Sequence, residues 1–515
     1  RMALPTAPRL RPWEPRGASL GLSAATVPRA SRPRRAPLPR RVAARQQGGV
    51  DSVEECCLVR CALADTPAGR GLRATPAGIR GAGETVREVY VRCPLGWTLG
   101  VCEGGKGAPK EGSEAYDLSW AKMASRARRD AGEPSQPRAL RSALADKAGR
   151  SDAERLSIYL LWAARRAPFW RSHARSLAGP EESTAATRFE PQHFEAMRDS
   201  RLEAFCVEER ARLKAIAQAA AEAAGLALEE EVRLDEAEWA LHSVITRAFS
   251  ICVPPSAETS DAGGVGYVML LPGLDLANMG RVPNMRTEVD PALDSLILRA
   301  RHEGVTIAAG DEIQNTYGVE LSNAELLVKY GFVLEQNPND RLPTRAFGEA
   351  EEGGSSSRIS AARFLSMGGL GAALEAAGAA PEAAAAAAPA ARRWIAAARS
   401  VLAAASGARY EGGKRTWFDE AAAARSMRRS LEMYAREEGA CLSSERNAAD
   451  LAAGDAKMAA AIAYRSERDG LISQCLDVLS RYKTFCEERA ANDGKRADSA
   501  PRTPGSKARW RALLE

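Results

Sequence analysis

Histidine is scarce in this sequence, which has four in 515 residues, and the ten cysteines are not spaced for metal binding. No two cysteines stand in C-x-x-C spacing, and the one cluster, Cys56, Cys57 and Cys61, has no second half with which to complete a zinc site. We therefore predict no metal centre. The cysteines are predicted to be buried thiols in a reducing compartment.

The sequence also lacks long apolar segments and the common catalytic motifs. No stretch approaches the roughly 18 uninterrupted apolar residues of a membrane-spanning helix, and the run "PEAAAAAAPAA" is mostly alanine. The motifs G-x-S-x-G and H-E-x-x-H and the P-loop are all missing. The glycine-rich run Cys102–Pro109 does not open a helix whose N-terminus could receive a phosphate, so we interpret it as a linker.

Positive charge is concentrated at the start of the chain. Residues 1–50 hold eleven arginines and one acidic residue, Glu14, which gives this segment a net charge of +10. The whole chain carries +6, so taking away +10 leaves −4 for the remaining residues. A duplex-binding surface needs clustered Lys and Arg, and we therefore expect no nucleic-acid partner for the body of the protein.

Residues 1–50 are also rich in Ala, Pro and Ser. This composition is typical of an organelle transit peptide, and the many prolines favour a plastid signal over the amphipathic helix of a mitochondrial one. We therefore predict a protein of the chloroplast stroma, with the cytoplasm or nucleus as the alternative. A disordered basic arm is the other interpretation of this segment.

Strand-like and helix-like patterns occur in separate blocks. Short apolar runs between Gly and Pro predict strands, and helical periodicity predicts a long insert between them and an alanine-rich helical region after them. Leu234–Ile251 predicts one helix, with Asp235 as its N-cap. The prediction is an α+β fold with a β core at 51–110 and 236–335, a helical insert at 111–235, a linker at 336–357, an all-α domain at 358–490 and a tail at 491–515.

Three segments carry residues that could form a site. Gly69–Leu72, "GRGL", is predicted to be a turn between strands, where glycine lets the backbone approach a ligand closely. The segment "WALHSVITRAF" puts Arg247 near a helix end, and "LLPGLDLANMGRVPN" carries Asp275 and Asn278 in a passage from strand to loop. Taken singly, each has an ordinary explanation as a common turn, a surface arginine or a loop.

A fourth segment, "DEIQNTYGVELSNAELLVKYGFV", contains Tyr317 and Tyr330 on either side of a predicted helix at 323–330. Ser322 is well placed as the N-cap of that helix, and Glu325 would complete a capping box. Tyr330 alone could simply pack at the end of the helix.

Together, the order and spacing of the four segments resemble the SET-domain methyltransferases of the Rubisco large-subunit lysine methyltransferase type. "GRGL" is similar to the first SET motif, and "WALHSVITRAF" to W-A-x-x-x-V-x-S-R-x-F, with Thr246 in place of serine. "LLPGLDLANM" resembles P-x-x-D-x-x-N-H, and "YGVELSNAELLVKYGFV" is similar to Y-G-x-x-S-N-x-E-L-x-x-x-Y-G-F, the most specific of the four. The resemblance spans about residues 53–485.

The resemblance implies a pocket for S-adenosylmethionine (AdoMet). Arg247 would pair with the carboxylate of AdoMet, Asn278 would bond its amino-acid part, and Phe332 would lie near the adenine. The implied cofactor-binding residues are Gly69, Arg70, Gly71, Leu72, Arg247, Asp275, Asn278, Met279, Tyr317 and Phe332.

Tyr317 and Tyr330 are the implied catalytic residues. Tyr317 would lie beside the sulfonium, and Tyr330 would line the channel of the acceptor side chain, so that both tyrosines face one channel. The segments around Asn278 and Tyr317 would thread together in a pseudoknot, an exception to the usual avoidance of threaded loops. Methyl transfer from a sulfonium to an amine needs alignment, an unprotonated amine and exclusion of water, and it needs no metal.

The family histidine after the motif asparagine is replaced here by Met279, and we expect this change to weaken AdoMet binding without abolishing it. The predicted activity is methylation of a protein lysine, by a monomer that contacts its substrate partly through the C-terminal helices. The substrate is predicted to be a plastid protein. The alternatives are a catalytically silent scaffold that binds a protein partner, and a protein-histidine methyltransferase of the same fold.

Overall fold

The computed structural model describes residues 61–66, 69–75, 89–102, 126–130, 132–175, 177–253, 265–290, 295–301, 307–318, 321–342, 359–360, 417–440 and 454–497. The predictions for residues 1–50, for the run after Cys102 and for most of the linker at 336–357 lie outside these ranges. The chain divides into two compact units. The first is formed by Arg1–Glu182 and Ala211–Val319, and the second by Ser183–Arg210 and Glu320–Glu515. The predicted domain boundaries stay predictions.

The described strands and helices confirm the α+β prediction. The strands are β1 (Cys61–Thr66), β2 (Gly69–Ala74), β3 (Val89–Pro94), β4 (Leu99–Cys102), β5 (Phe249–Val253), β6 (Val265–Leu270), β7 (Asn278–Met279), β8 (Met285–Asp290), β9 (Ser295–Ala300), β10 (Glu312–Asn315), β11 (Arg341–Leu342) and β12 (Ile359–Ser360). The helices are α1 (Arg138–Ala145), α2 (Asp152–Arg166), α3 (Pro168–Ala174), α4 (Pro191–Met197), α5 (Ser200–Leu228), α6 (Leu234–Arg247), α7 (Asn323–Tyr330), α8 (Trp417–Glu437) and α9 (Ala456–Ala497).

Three small sheets of the first unit each combine strands from both sides of the helical insert. Their strand orders are β1-β2-β10-β7, β3-β9-β8 and β4-β6-β5. All neighbours are antiparallel except β7 and β10, which run parallel. The two halves of the predicted β core therefore pair with each other, because neither half contains all the strands of any one sheet.

Two apolar cores stabilise the first unit. One lies between the sheets and includes Leu72, Leu274 and Ile313. The other joins the helical insert to strands β4 and β6, with Tyr159 and Trp162 fully buried on α2. The start of helix α2 is capped, because the Ser151 hydroxyl accepts a hydrogen bond from the Glu154 amide. Arginines in its last turn stabilise the helix by their favourable interaction with the negative end of the helix dipole.

The helix predicted at Leu234–Ile251 is shorter than expected. It ends at Arg247, and Phe249 begins strand β5, because the apolar run that follows pairs with β6. The prediction of Asp235 as N-cap is wrong, since Arg233 occupies the cap position. Asp235 lies in the first turn, where its carboxylate still stabilises the helix by interacting with the positive end of the helix dipole.

The second unit contains α4, α7, α8 and α9 around a core that includes Phe189, Leu327 and Tyr464. A buried polar group accompanies this core: the Tyr464 hydroxyl donates to Asp199 Oδ2 at 2.9 Å, and burial raises the pKa of Tyr464 well above its usual value. Helix α9 continues to Ala497, past the predicted start of the tail at residue 491.

The prediction of buried thiols is confirmed for the five cysteines whose side chains the structure describes, Cys61, Cys93, Cys206, Cys475 and Cys486. Among the described helices none is long and apolar enough to cross a membrane.

Candidate functional site

A short turn between β6 and β7 holds the polar residues of the site together. Leu274–Leu276 forms one turn of 3-10 helix, and Gly273 precedes it with φ of 87°, a backbone conformation that only glycine adopts without strain. The Asp275 carboxylate accepts the Gly273 amide at 2.9 Å. This hydrogen bond fixes the start of the turn.

Arg247 ends helix α6, as predicted, and contacts this turn. Its Nη1 donates to the main-chain carbonyl of Asp275 at 3.1 Å. The side chain is half-buried, and no carboxylate lies within ion-pair distance of it in the described part of the chain. The guanidinium has five N–H donors, so this site presents a fixed cation with donors to spare.

Tyr317 follows strand β10 and contacts the residue that ends the same turn. Its hydroxyl donates to the main-chain carbonyl of Ala277 at 3.2 Å. Burial raises the pKa of Tyr317 to about 12, an effect that the Arg247 cation opposes and that Asp275 and Glu312 reinforce. The phenol is therefore neutral near pH 7 and acts as a hydrogen-bonding group, not as a base.

Asn278 and Met279 form β7, which pairs in parallel with β10 through Gln314 and Asn315. The Asn278 amide donates to Glu312 Oε1 at 3.0 Å. The segments of Asn278 and Tyr317 are thus adjacent, as the resemblance requires, while their threading into a pseudoknot stays a prediction.

A second asparagine joins the same two segments. Asn284 accepts the Gln314 amide at 2.8 Å through its side-chain oxygen and donates to the Glu312 carbonyl at 2.8 Å. The Asn284 side chain therefore bonds to the main chain of β10 as a neighbouring strand would.

The prediction of Gly69–Leu72 as a turn is wrong, because these residues form the first part of strand β2. The hairpin pairs Thr66 with Gly69, and Leu72 pairs with Ile313 of β10. Leu72 is fully buried in the core. Gly69 and Gly71 pair with Thr66 and Ala64 of β1, and the same strand β2 pairs with β10 through Leu72 and Arg73.

Tyr330 and Phe332 belong to the second unit, at the end of α7, with their ring centroids 6.1 Å apart. The predicted capping box is confirmed: Ser322 accepts the Glu325 amide, and the Glu325 carboxylate accepts the Ser322 amide at 2.8 Å. The helix ends at Gly331, whose φ of 80° is left-handed. The role of the two aromatic residues in a channel or adenine site stays a prediction.

Asp275 has partners inside the protein that sequence reasoning missed. Besides the Gly273 amide, its carboxylate faces His173, with 3.5 Å between Nε2 and Oδ2. Glu312 was also missed, although it holds the Asn278 amide. Neither contact has a local sequence pattern, because each joins residues far apart in the chain.

Lys329, on α7, is a further titratable group and is half-buried. Burial lowers its pKa to about 8, against the opposing effect of Glu325 and Glu209. Within the described residues no group of three or more His, Cys, Asp or Glu side chains is arranged to hold a metal ion.

No protein-family model and no curated protein matches the chain. Among solved structures it is similar to "Crystal structure of the SET domain of LSMT bound to Lysine and AdoHcy", at 14% identity over 85% of this chain and 90% of that chain, with a TM-score of 0.46. It is also similar to "Structure of Rubisco LSMT bound to AdoMet", at 14% identity over 84% of this chain and 88% of that chain, with a TM-score of 0.43. Identities at this level do not establish the family.

Proposed function

We propose that the first unit binds AdoMet and transfers its methyl group to a lysine side chain of a protein. The observation that carries the proposal is Arg247, a half-buried cation that binds a main-chain carbonyl and has no carboxylate partner in the described part of the chain. A carboxylate from a ligand would satisfy it, since guanidinium and carboxylate form strong paired hydrogen bonds.

The sequence motifs support AdoMet as the source of that carboxylate. Gly69–Leu72, Arg247, Asn278 and Tyr317, from the four motifs of the SET resemblance, lie in the first unit, while Tyr330 and Phe332 of the fourth motif lie in the second. Strand β10 pairs with both β2 and β7, so it brings three of these segments to one sheet. AdoMet, when bound, would supply an electrophilic methyl group on a sulfonium.

The residues of the site would then align the acceptor and keep water away. A free lysine has a pKa of about 10.4 and is protonated near neutral pH, so a dry site beside a cation must lower that value before the amine can react. Tyr317 stays neutral, and its hydroxyl oxygen can accept a hydrogen bond from an incoming amine while its proton is held by Ala277. This arrangement orients the lone pair of the amine without adding charge.

Met279 follows Asn278 in β7 and would pack on the purine through its polarizable side chain. Its presence where the family has histidine is the observation that favours the second candidate, a silent scaffold that binds a protein partner. Histidine as the acceptor is a further alternative.

A plastid substrate and contact with it through the C-terminal helices are proposals that rest on the composition of residues 1–50 and on the sequence resemblance.

Calorimetric titration of AdoMet into the full chain tests the proposal. We expect Arg247→Ala to weaken binding by about 30-fold or more, which corresponds to the ~2 kcal/mol of a charge-assisted contact, and Arg247→Lys to restore part of it. Arg165→Ala is the matched control, because Arg165 pairs with Glu236 in the same unit.

We expect Tyr317→Phe to keep AdoMet affinity and to lower methyl transfer, measured by mass spectrometry of a lysine-containing acceptor, by at least about tenfold.

Absence of AdoMet binding by the folded wild-type chain would reject the enzyme in favour of the scaffold. Transfer to histidine instead of lysine, seen by the same mass spectrometry, would keep the cofactor site and correct the acceptor.

A further inference from the structure

His173, which lies outside the four sequence motifs, forms a buried pair with the motif residue Asp275. Each side chain is 1% exposed, and 3.5 Å separates His173 Nε2 from Asp275 Oδ2. This distance is at the long end of hydrogen bonding. A carboxylate buried this deeply is costly unless a donor or a cation compensates it.

Asp275 connects this pair to both functional side chains of the site. Its Oδ1 accepts the Gly273 amide at 2.9 Å and so fixes the start of the turn. The carbonyl of Asp275 itself accepts Arg247, and the carbonyl of Ala277 accepts Tyr317. A shift of the Asp275 side chain would therefore move the acceptors of both groups.

His173 is itself held firmly by aromatic neighbours. Its ring stacks on Phe169 at 6.1 Å and meets Trp170 edge-on at 5.2 Å between centroids. Phe169 in turn stacks on Trp97 at 4.7 Å, with an interplanar angle of 11°. The imidazole therefore packs against two aromatic rings of its own helix α3, one of which, Phe169, is held in turn by Trp97 after β3.

We propose that His173 is a positioning residue of the site, which acts through Asp275. The helical insert supplies a rigid imidazole, the imidazole fixes the Asp275 carboxylate, and the carboxylate fixes the turn whose carbonyls orient Arg247 and Tyr317. The consequence for methyl transfer rests on the proposed function. The mechanical part, fixation of the turn by His173, does not.

A small displacement at this turn would have a large effect on reactivity. Group transfer depends on alignment, and a misplacement of about 1 Å can cost on the order of 100-fold in rate. If His173 is replaced by an apolar ring, the buried Asp275 carboxylate loses a polar neighbour, which favours a movement of the turn that brings the carboxylate to water.

The first test is amide hydrogen exchange in the free full-length chain. His173→Phe keeps the aromatic packing and removes the imidazole nitrogens, and we expect exchange at Gly273 and Ala277 to rise about tenfold. His173→Gln can place an amide donor near the position of Nε2, and we expect it to restore most of the protection. Tyr159→Phe is the control, since it removes a buried hydroxyl that donates to Glu133 elsewhere in the same unit.

A merely structural role would lower the melting temperature of His173→Phe and Tyr159→Phe alike, without selective exchange at the turn. Unchanged protection of Gly273 and Ala277 in His173→Phe would overturn the proposal, whatever the protein binds.

The second test is AdoMet titration into the same variants, at a temperature where all are folded. We expect weaker binding by about tenfold in His173→Phe, recovery in His173→Gln and no change in Tyr159→Phe. If the turn loosens but the wild-type chain binds no AdoMet, the proposed function fails and the positioning role stands. If the wild-type chain binds AdoMet and His173→Phe matches it in affinity and exchange, only the positioning role fails.

Discussion

Two glycines with positive φ, Gly273 and Gly331, lie in segments that are held in opposite ways. Gly331 ends helix α7, and Ser322 and Glu325 cap the start of the same helix, so most of its determinants lie within ten positions of one another. Gly273 begins a turn whose partners come from His173, Arg247 and Tyr317.

Local contacts leave a pattern in the sequence, and long-range contacts do not. The helix can be recognised from its own residues, because capping is a local interaction. The turn can be recognised only by its composition, since the contacts that fix it join distant segments. Substitution of Gly331 should therefore disturb the folding of one helix, and substitution of Gly273 should disturb the alignment of the proposed site.

The largest effect is expected from Gly331→Ala. An added Cβ would overlap the Thr184 side chain and the backbone of Thr184 and Ala185, and the φ of 80° adds strain. We expect a loss of about 3 kcal/mol or more in the free energy of unfolding, measured by urea denaturation. Gly454→Ala is the control, because Gly454 has φ of 91° and open space, and it should lose only about 1 kcal/mol. Equal losses in the two variants would mean that the overlap is relieved cheaply.

A smaller but more selective effect is expected from Gly273→Ala. The φ of 87° strains an alanine by about 1–2 kcal/mol, and relief of that strain moves the carbonyls that hold Arg247 and Tyr317. We expect AdoMet affinity to fall more than stability does. Gly132→Ala, with φ of 85° and no atom near the added Cβ, should show the same loss of stability and no loss of affinity. A parallel loss of affinity in Gly132→Ala would remove the distinction between the two regions.

The smallest effect is a pH dependence at the start of α7. Asp340 accepts the Asn323 amide at 3.0 Å, and burial raises the pKa of this carboxyl to about 6, above its ordinary value of about 3.9. The folded state thus binds more protons than the unfolded chain between these two values, so this group makes the protein less stable as pH rises from about 4 to 6. Asp340→Asn should flatten that dependence and be more stable than wild type at pH 7 by up to about 1 kcal/mol. Urea unfolding of wild type and Asp340→Asn at pH 5 and pH 7 gives the free energy of unfolding of each protein at each pH. An equal change of that free energy between the two pH values in both proteins would contradict the raised pKa.

Much of the local structure follows from the sequence. The capping box of Ser322 and Glu325 and the position of Arg247 at a helix end were both predicted, because each depends on neighbours one or two turns away. The split β core was predicted from two blocks of strand-like residues. Which strands pair could not be predicted, since pairing depends on contacts across the whole insert.

The errors have the same origin. Gly69–Leu72 was predicted as a turn from its glycines, but pairing with β1 and β10 draws the segment into a strand. Tertiary contacts override the weak preference of glycine for turns. His173 lacks any local pattern, and its significance appears only when the fold places it against Asp275.

Strand β10 also has a consequence for how the protein folds. It pairs with β2, and across that pair Arg73 donates to the Gly310 carbonyl, 237 positions along the chain. Contacts this distant in sequence form slowly, because the entropy of closing a long loop is lost before the contacts can stabilise the chain. We therefore expect helical segments to form early on refolding, and the site around Tyr317 to be among the last parts of the molecule to acquire its shape.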